Sequence, residues 1–497
     1  MQNNTTQPRT EIPVLALSDV GVCLHYVEAC NGPASELVYP HGSVMESMEL
    51  DLLAYRFQDP PPFGSRTESV PAAPQLQRRP HNRWPIVIDY PEVFVYHSEG
   101  RSPQLATPQP QRKAELLVSS TRFLNCGLRI WHLVITPRPG ETFSEFDLIK
   151  LIHLYDGRTE RTGLKDKIRF RLGDNGTESC SAAGLPRLLG LPVENGATPE
   201  LKCGTLELLI GSHCVTDQGA ADNPYVDVFD TLRNAREPGG ADASAQLKAW
   251  MQQNCVHRRI IMAYCGIVTG IFDFDKIDDE EALDTLEPTF AGSSAFLRIH
   301  RRTLISIADN DRSMRECWDS VGISPYLILP HAALLYNETL VDMAERALDT
   351  ALTDANAKLD ALEAAHIEAD RRLNTLYLPN MFNYITERSL FEAGCECRGS
   401  NARRSAVLAK LDQLKSHIDI VRERERNRGQ VVIQVLLAVI SLLQIKGVIA
   451  EMFGWQEQSP GVWPAIIVGI LVLAGVVWWS YHKGLPRRIV NRRTSNT

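Results

Sequence analysis

Two apolar stretches near the C-terminus constrain this chain more than any other feature. Residues 431–450 read VVIQVLLAVISLLQIKGVIA, interrupted only by Gln434, Ser441, Gln444 and Lys446. Residues 462–481 read VWPAIIVGILVLAGVVWWSY and carry no charge. A helix rises about 1.5 Å per residue, so each stretch reaches roughly 30 Å, the thickness of a bilayer core. Arginines 422, 424, 426 and 428 precede the first stretch, and Lys483, Arg487, Arg488, Arg492 and Arg493 follow the second. The intervening residues 451–461 hold Glu451 and Glu457 but no Lys or Arg. The excess of positive charge on the inner side then predicts a two-span integral membrane protein with both termini cytoplasmic and a short outer loop. Trp455 and Trp463 would mark the outer interface, and Trp478, Trp479 and Tyr481 the inner one.

Upstream, residues 331–430 read as a helical stalk. Leu348, Leu352, Ala355, Leu359, Leu362, His366, Ala369, Leu373 and Leu376 alternate steps of four and three, a heptad seam. Val407, Leu411, Leu414, Ile418 and Val421 repeat it after a break at Pro379 and a turn around Gly394 and Gly399. Short seams of this kind need partners, and identical copies around an axis supply them. Within the first stretch, Gln434, Ala438, Ser441, Ile445 and Val448 share one helical face at about 100° per residue. That face is expected to line a pore; the alternative is that Gln434 and Ser441 bind neighbouring helices by hydrogen bonds.

Residues 1–330 are expected to form a cytosolic α+β or α/β domain. Strand-like runs such as VCLHYVEA, PIVIDY, AELLVSSTRFLNCGLRIWHLVITP, KIRFRLGD, TLELLIGS and SAFLRIHRRTLISIA surround one helix-like segment, ETFSEFDLIKLIHLYD. Prolines crowd residues 59–112, which read as loops. The net charge of −8 argues against a nucleic-acid partner. The N-terminal residues show no basic run followed by an apolar one, so no signal peptide is expected.

Motifs for chemistry are sparse. The chain has none of the phosphate-loop, serine-hydrolase, metalloprotease or dinucleotide glycine patterns, so it is not expected to be an enzyme. Eleven cysteines occur without a C-x-x-C pair, and no histidine spacing beside them marks a metal site. Asp273, Asp275, Asp278 and Asp279 head an acidic run that fails the EF-hand pattern, with Asp278 where Gly is needed and Asp284 where Glu is needed. The run reads either as a divalent-ion regulatory site or as a solvated helix start.

The succession of cytosolic domain, long stalk, two spans and basic tail at 482–497 resembles the CorA family of divalent-cation transporters, as does the segment YLPNMFNYITERSLFEAG. The resemblance covers residues 340–490. It implies a homopentamer in a prokaryotic inner membrane, a pore lined by the first span, and transport of Mg²⁺ or a similar divalent cation. The family's Gly-Met-Asn signature is replaced here by Glu451-Met452-Phe453, so only Met452 recurs and Glu451 becomes the candidate for the outer mouth. CorA-like proteins without the signature include membrane effectors of prokaryotic antiviral signalling, which implies gating by a small molecule or nucleotide. The alternative is a non-conducting, membrane-anchored sensor or scaffold.

Overall fold

The computed structural model describes residues 16–29, 46–47, 75–90, 93–95, 104–106, 111–123, 128–152, 154, 167–191, 199–210, 214–215, 289–291, 295–300, 302–309, 322–354, 358–380, 382 and 384–452, with isolated positions beyond. Two compact units emerge: residues 1–346 with 369–408, and residues 347–368 with 409–497.

The first unit is organised by a large sheet. Its main strands are β1 (Val20–Ala29), β2 (Gln75–Asp89), β3 (Gln111–Phe123), β4 (Leu128–Pro137), β5 (Arg169–Leu172), β6 (Glu200–Ile210), β7 (Ala295–His300) and β8 (Thr303–Asp309). Their order across the sheet is β5-β2-β3-β4-β1-β6-β8-β7, and three two-residue strands extend it. Every pair is antiparallel except β6 with β8. The β3–β4 hairpin forms from a run rich in Leu, Val and Ile, residue types that suit a pleated, buried surface. At the edge, Arg171 grips Asp89 across β5 and β2 through two hydrogen bonds of 2.7 and 2.9 Å.

Helix α1 (Glu145–Ile152) starts where Ser144 and Asp147 cap each other: the Ser144 amide donates to Asp147 at 2.8 Å, and the Asp147 amide donates back to Ser144 at 3.3 Å. Helix α2 (Pro325–Thr353) opens on a proline, whose missing N–H is no loss in a first turn. It covers one face of the sheet, where Leu327, Ile328, Leu334 and Leu335 join Val27, Leu117, Ile130, Val134, Leu297 and Ile299 in a single core. Asn337 clamps the residue before the stalk break, giving and receiving a 2.9 Å hydrogen bond with the Leu378 backbone.

Helix α3 (Leu359–Asp370) passes into a π-helical turn, Arg371–Thr375. Helix α4 (Ile385–Cys397) ends at Gly399, whose φ of +65° only a residue lacking Cβ adopts without strain. Helix α5 (Ser400–Met452) then runs for 53 residues. In the second unit, the end of α2 and α3 pair with α5 through Lys410–Asp349 at 2.9 Å and Arg422–Glu363 at 2.6 Å. Leu348, Leu362, Leu411, Leu414 and Ile418 are buried, as their heptad positions require. Leu352, on the same expected seam, is exposed beside the end of α2.

The membrane part of the expected fold class is corrected. Among the described residues no helix is long and apolar enough to cross a membrane. Residues 431–450 form the last part of α5, continuous with the stalk as expected, and four polar side chains punctuate them. Residues 462–481 fall outside the described residues except for isolated positions. The expected α+β or α/β front domain is instead dominated by one mixed, largely antiparallel sheet.

Candidate functional site

Strand register assembles a polar chain inside the apolar core. His25 on β1 lies directly opposite His132 on β4, and on its other side opposite Cys203 on β6. Cys23, two residues before His25, shares its face because side chains alternate along a strand. Thr205 follows Cys203 at the same spacing, and His331 of α2 is buried above it. Each of the three histidines is fully buried.

These groups form one continuous hydrogen-bonded path. Thr121 Oγ1 meets His132 Nε2 at 2.7 Å, and His132 Nδ1 meets His25 Nδ1 at 2.8 Å. His25 Nε2 meets Thr205 Oγ1 at 2.8 Å, and the same oxygen meets His331 Nδ1 at 2.8 Å. His331 Nε2 contacts the Arg398 guanidinium, which also holds Glu338 at 3.1 and 3.2 Å.

Arg398 fixes the direction of the whole path. A guanidinium only donates, so His331 Nε2 must accept and its proton sits on Nδ1. That proton goes to Thr205, the Thr205 hydroxyl donates to His25 Nε2, and His25 carries its proton on Nδ1. His132 then accepts at Nδ1 and donates from Nε2 to Thr121. Every imidazole is neutral with one proton. The surroundings favour the same state: burial first, then Arg398, lowers His25 to about 3, and burial pushes His132 and His331 well below the usual histidine value. Burial likewise drives the Cys23 thiol well up and Cys203 up to about 12, so both are protonated thiols.

Arg398 also reaches a cleft of about 390 Å³ in the first unit. Lys202, Arg302, Arg398 and Arg403 line it, together with Glu338, Asp342 and Ser400. Arg403 is held by Asp342 and, at 2.6 Å, by Glu345; Lys202 lies 2.7 Å from Glu200. Three polar atoms on this wall are buried without a hydrogen-bond partner: the donors Arg398 Nε and Ser400 Oγ, and Asp342 Oδ1, which lies in an ion pair with Arg403. The two donors follow from the turn at Gly399, which ends α4 and starts α5 with Ser400 in its first turn. Close packing of the α4 end sets Arg398 in place: a Cβ on Gly394 would fall 2.3 Å from Leu334 Cδ1.

A buried acid lies nearby on β6. Glu207 accepts hydrogen bonds from the Ser324 amide and from Ser306 Oγ, and burial raises its carboxyl to about 7. Thr205 and Glu207 thereby tie the same face of β6 to α2 and to the residue preceding it.

The residues expected to line a pore all lie on α5. Gln434 and Ser441 are exposed, Ala438 is half-buried, and Ser441 Oγ donates to the Leu437 carbonyl at 2.8 Å. For Ile445, Val448, Glu451 and Met452 only the helical backbone is described. Asp273, Asp275, Asp278 and Asp279 lie outside the described residues. The sequence reading missed the histidine path entirely. Its one signal was a histidine at the centre of each apolar strand, in VCLHYVEA and RIWHLVIT.

Comparison with known protein families, with curated proteins and with solved structures finds no match.

Proposed function

We propose that this protein is a receptor for a small multiply charged anion, bound in the cleft of Lys202, Arg302, Arg398 and Arg403. The reading rests on one observation: Arg398 Nε and Ser400 Oγ are buried donors without partners on the wall of a cationic cleft. Buried polar groups are nearly always satisfied, and an oxyanion placed there would accept from both. Lys202, Arg398 and Arg403 are each paired with a carboxylate, and together with Arg302 they form the basic face that would receive a phosphorylated or polycarboxylate ligand. Glu338 and Asp342 would accept hydrogen bonds from hydroxyl or amino groups of the same molecule, which fits a nucleotide-like signal. The first turn of α5 belongs to the binding wall, so ligand occupancy acts on the start of a 53-residue helix.

The test is a thermal-shift and calorimetric titration of the full chain with pyrophosphate and nucleoside mono-, di- and triphosphates. Saturable stabilisation that disappears in Arg302→Ala supports the receptor; no stabilisation by any of these anions, or an undiminished response in Arg302→Ala, rejects it. Ion conduction, expected from the CorA resemblance, draws no added support from the described helices. Flux of Mg²⁺, Ni²⁺, K⁺ and Na⁺ into proteoliposomes decides that question separately.

A further inference from the structure

We propose that Cys23, His25 and His132 hold one monovalent, thiophilic metal ion, Cu(I), at the core of the sheet. The proposal is independent of the anion cleft. Cys23, His25 and His132 each offer a ligand atom, and the three atoms lie within 4.8 Å of one another. His25 Nδ1 is 2.8 Å from His132 Nδ1 and 3.8 Å from Cys23 Sγ. Metal bonds to nitrogen and sulfur of roughly 2.0 to 2.3 Å place such atoms some 3 to 4 Å apart, so the group needs only a slight opening. All three side chains stand on paired strands β1 and β4, which hold their positions firmly.

The surroundings suit ligation at both Nδ1 atoms, at once for His132 and after a change of tautomer for His25. A histidine that gives Nδ1 to a metal carries its proton on Nε2 and needs an acceptor there. Thr121 Oγ1 stands 2.7 Å from His132 Nε2, and Thr205 Oγ1 stands 2.8 Å from His25 Nε2. Thr205 has lone pairs for both His25 Nε2–H and His331 Nδ1–H. The protons balance simply. The Cys23 thiol proton leaves, the His25 proton moves from Nδ1 to Nε2, and the Thr205 hydroxyl turns away from His25.

A second group, His25, Cys203 and His331, has similar spacing but not the same fitness. Ligation through His331 Nδ1 would require a proton on Nε2, where Arg398 already donates. It would also set a metal cation beside a guanidinium.

Charge and softness choose the ion. The site is fully buried, and a net charge there is costly. Cu(I) with one thiolate and two neutral imidazoles is neutral, whereas a divalent ion leaves one positive charge in the core. Thiolate ligands also select soft ions such as Cu(I).

The test is anaerobic titration of the full chain, in a Cys395→Ser/Cys397→Ser background, with Cu(I) in competition with a bathocuproine chelator. One tightly held ion per chain is expected, with X-ray absorption showing one sulfur and two nitrogen neighbours. Thr121→Val should weaken it about 10- to 100-fold. Cys23→Ser should abolish it, while Cys203→Ser should retain it. Retention in Cys23→Ser, loss in Cys203→Ser, two sulfur neighbours, no stoichiometric ion, or preference for Zn(II) over Cu(I) each overturns the proposal. Should Cys23→Ser fail to fold, the absorption spectrum of the background protein and the Thr121→Val affinity still decide it.

Discussion

Replacing Glu207 by glutamine tests whether the acid on β6 is protonated in the folded protein. Burial is the largest cause of its raised pKa, about 7 against an ordinary 4.5, and the hydrogen bonds from Ser324 and Ser306 offset only part of it. Between those two values the folded chain keeps a proton that the unfolded chain has lost. Stability therefore falls as pH rises through that window and levels off above it. At about 1.4 kcal/mol per unit, the whole effect is about 3 kcal/mol, of which about 2 to 3 kcal/mol lies between pH 5 and 8. The amide introduced by Glu207→Gln would resemble the protonated acid: its carbonyl accepts from the Ser324 amide and its NH₂ donates to Ser306. Urea unfolding of wild type and Glu207→Gln across that pH range isolates the difference, since all other titrations are shared. The variant should gain on wild type by that amount as pH rises. A difference that stays constant with pH, or one that moves the opposite way, would refute the reasoning.

Other expectations follow from particular contacts. Gly394→Ala drives a methyl against Leu334 and Ile299 and should cost about 1 to 3 kcal/mol in chemical unfolding, as over-packing does. Gly399→Ala meets no neighbour, so only its left-handed backbone penalises it, by about 1 kcal/mol; it should also weaken anion binding by shifting Arg398 and Ser400. Arg398→Met leaves Glu338 and the His331 Nε2 acceptor without their shared donor. A loss of about 3 to 5 kcal/mol is expected, together with altered histidine tautomer signals in ¹⁵N spectra. Leu414→Ala, buried on the heptad seam, should cost about 2 to 5 kcal/mol, while Leu352→Ala, exposed on the expected same seam, should change stability little.

Much of the secondary structure was legible from local pattern alone. Apolar runs rich in β-branched residues marked β3, β4 and β8, and the helical spacing of apolar residues in ETFSEFDLIKLIHLYD marked α1, because pleat and helical face are decided within a few residues. The heptad at Leu411, Leu414 and Ile418 announced a buried seam for the same reason. Apolarity by itself misled at residues 431–450. The unbroken helix from Ser400 through this segment was readable from the absence of proline, but hydropathy reports what a segment would bury, not whether it does so in a bilayer. The histidine path was invisible in the sequence because its members are distant along it: residues 25, 132, 205, 331 and 398 meet only through β-register and the packing of α2 and α4. One residue of slip on β1 would turn Cys23 and His25 to the opposite face and dissolve the group. The sequence thus determined which segments could be strands, helices and seams, since those depend on near neighbours. Tertiary structure alone decided that buried imidazoles, thiols and one arginine share a core, because only the pairing of strands from distant parts of the chain brings them within hydrogen-bonding distance.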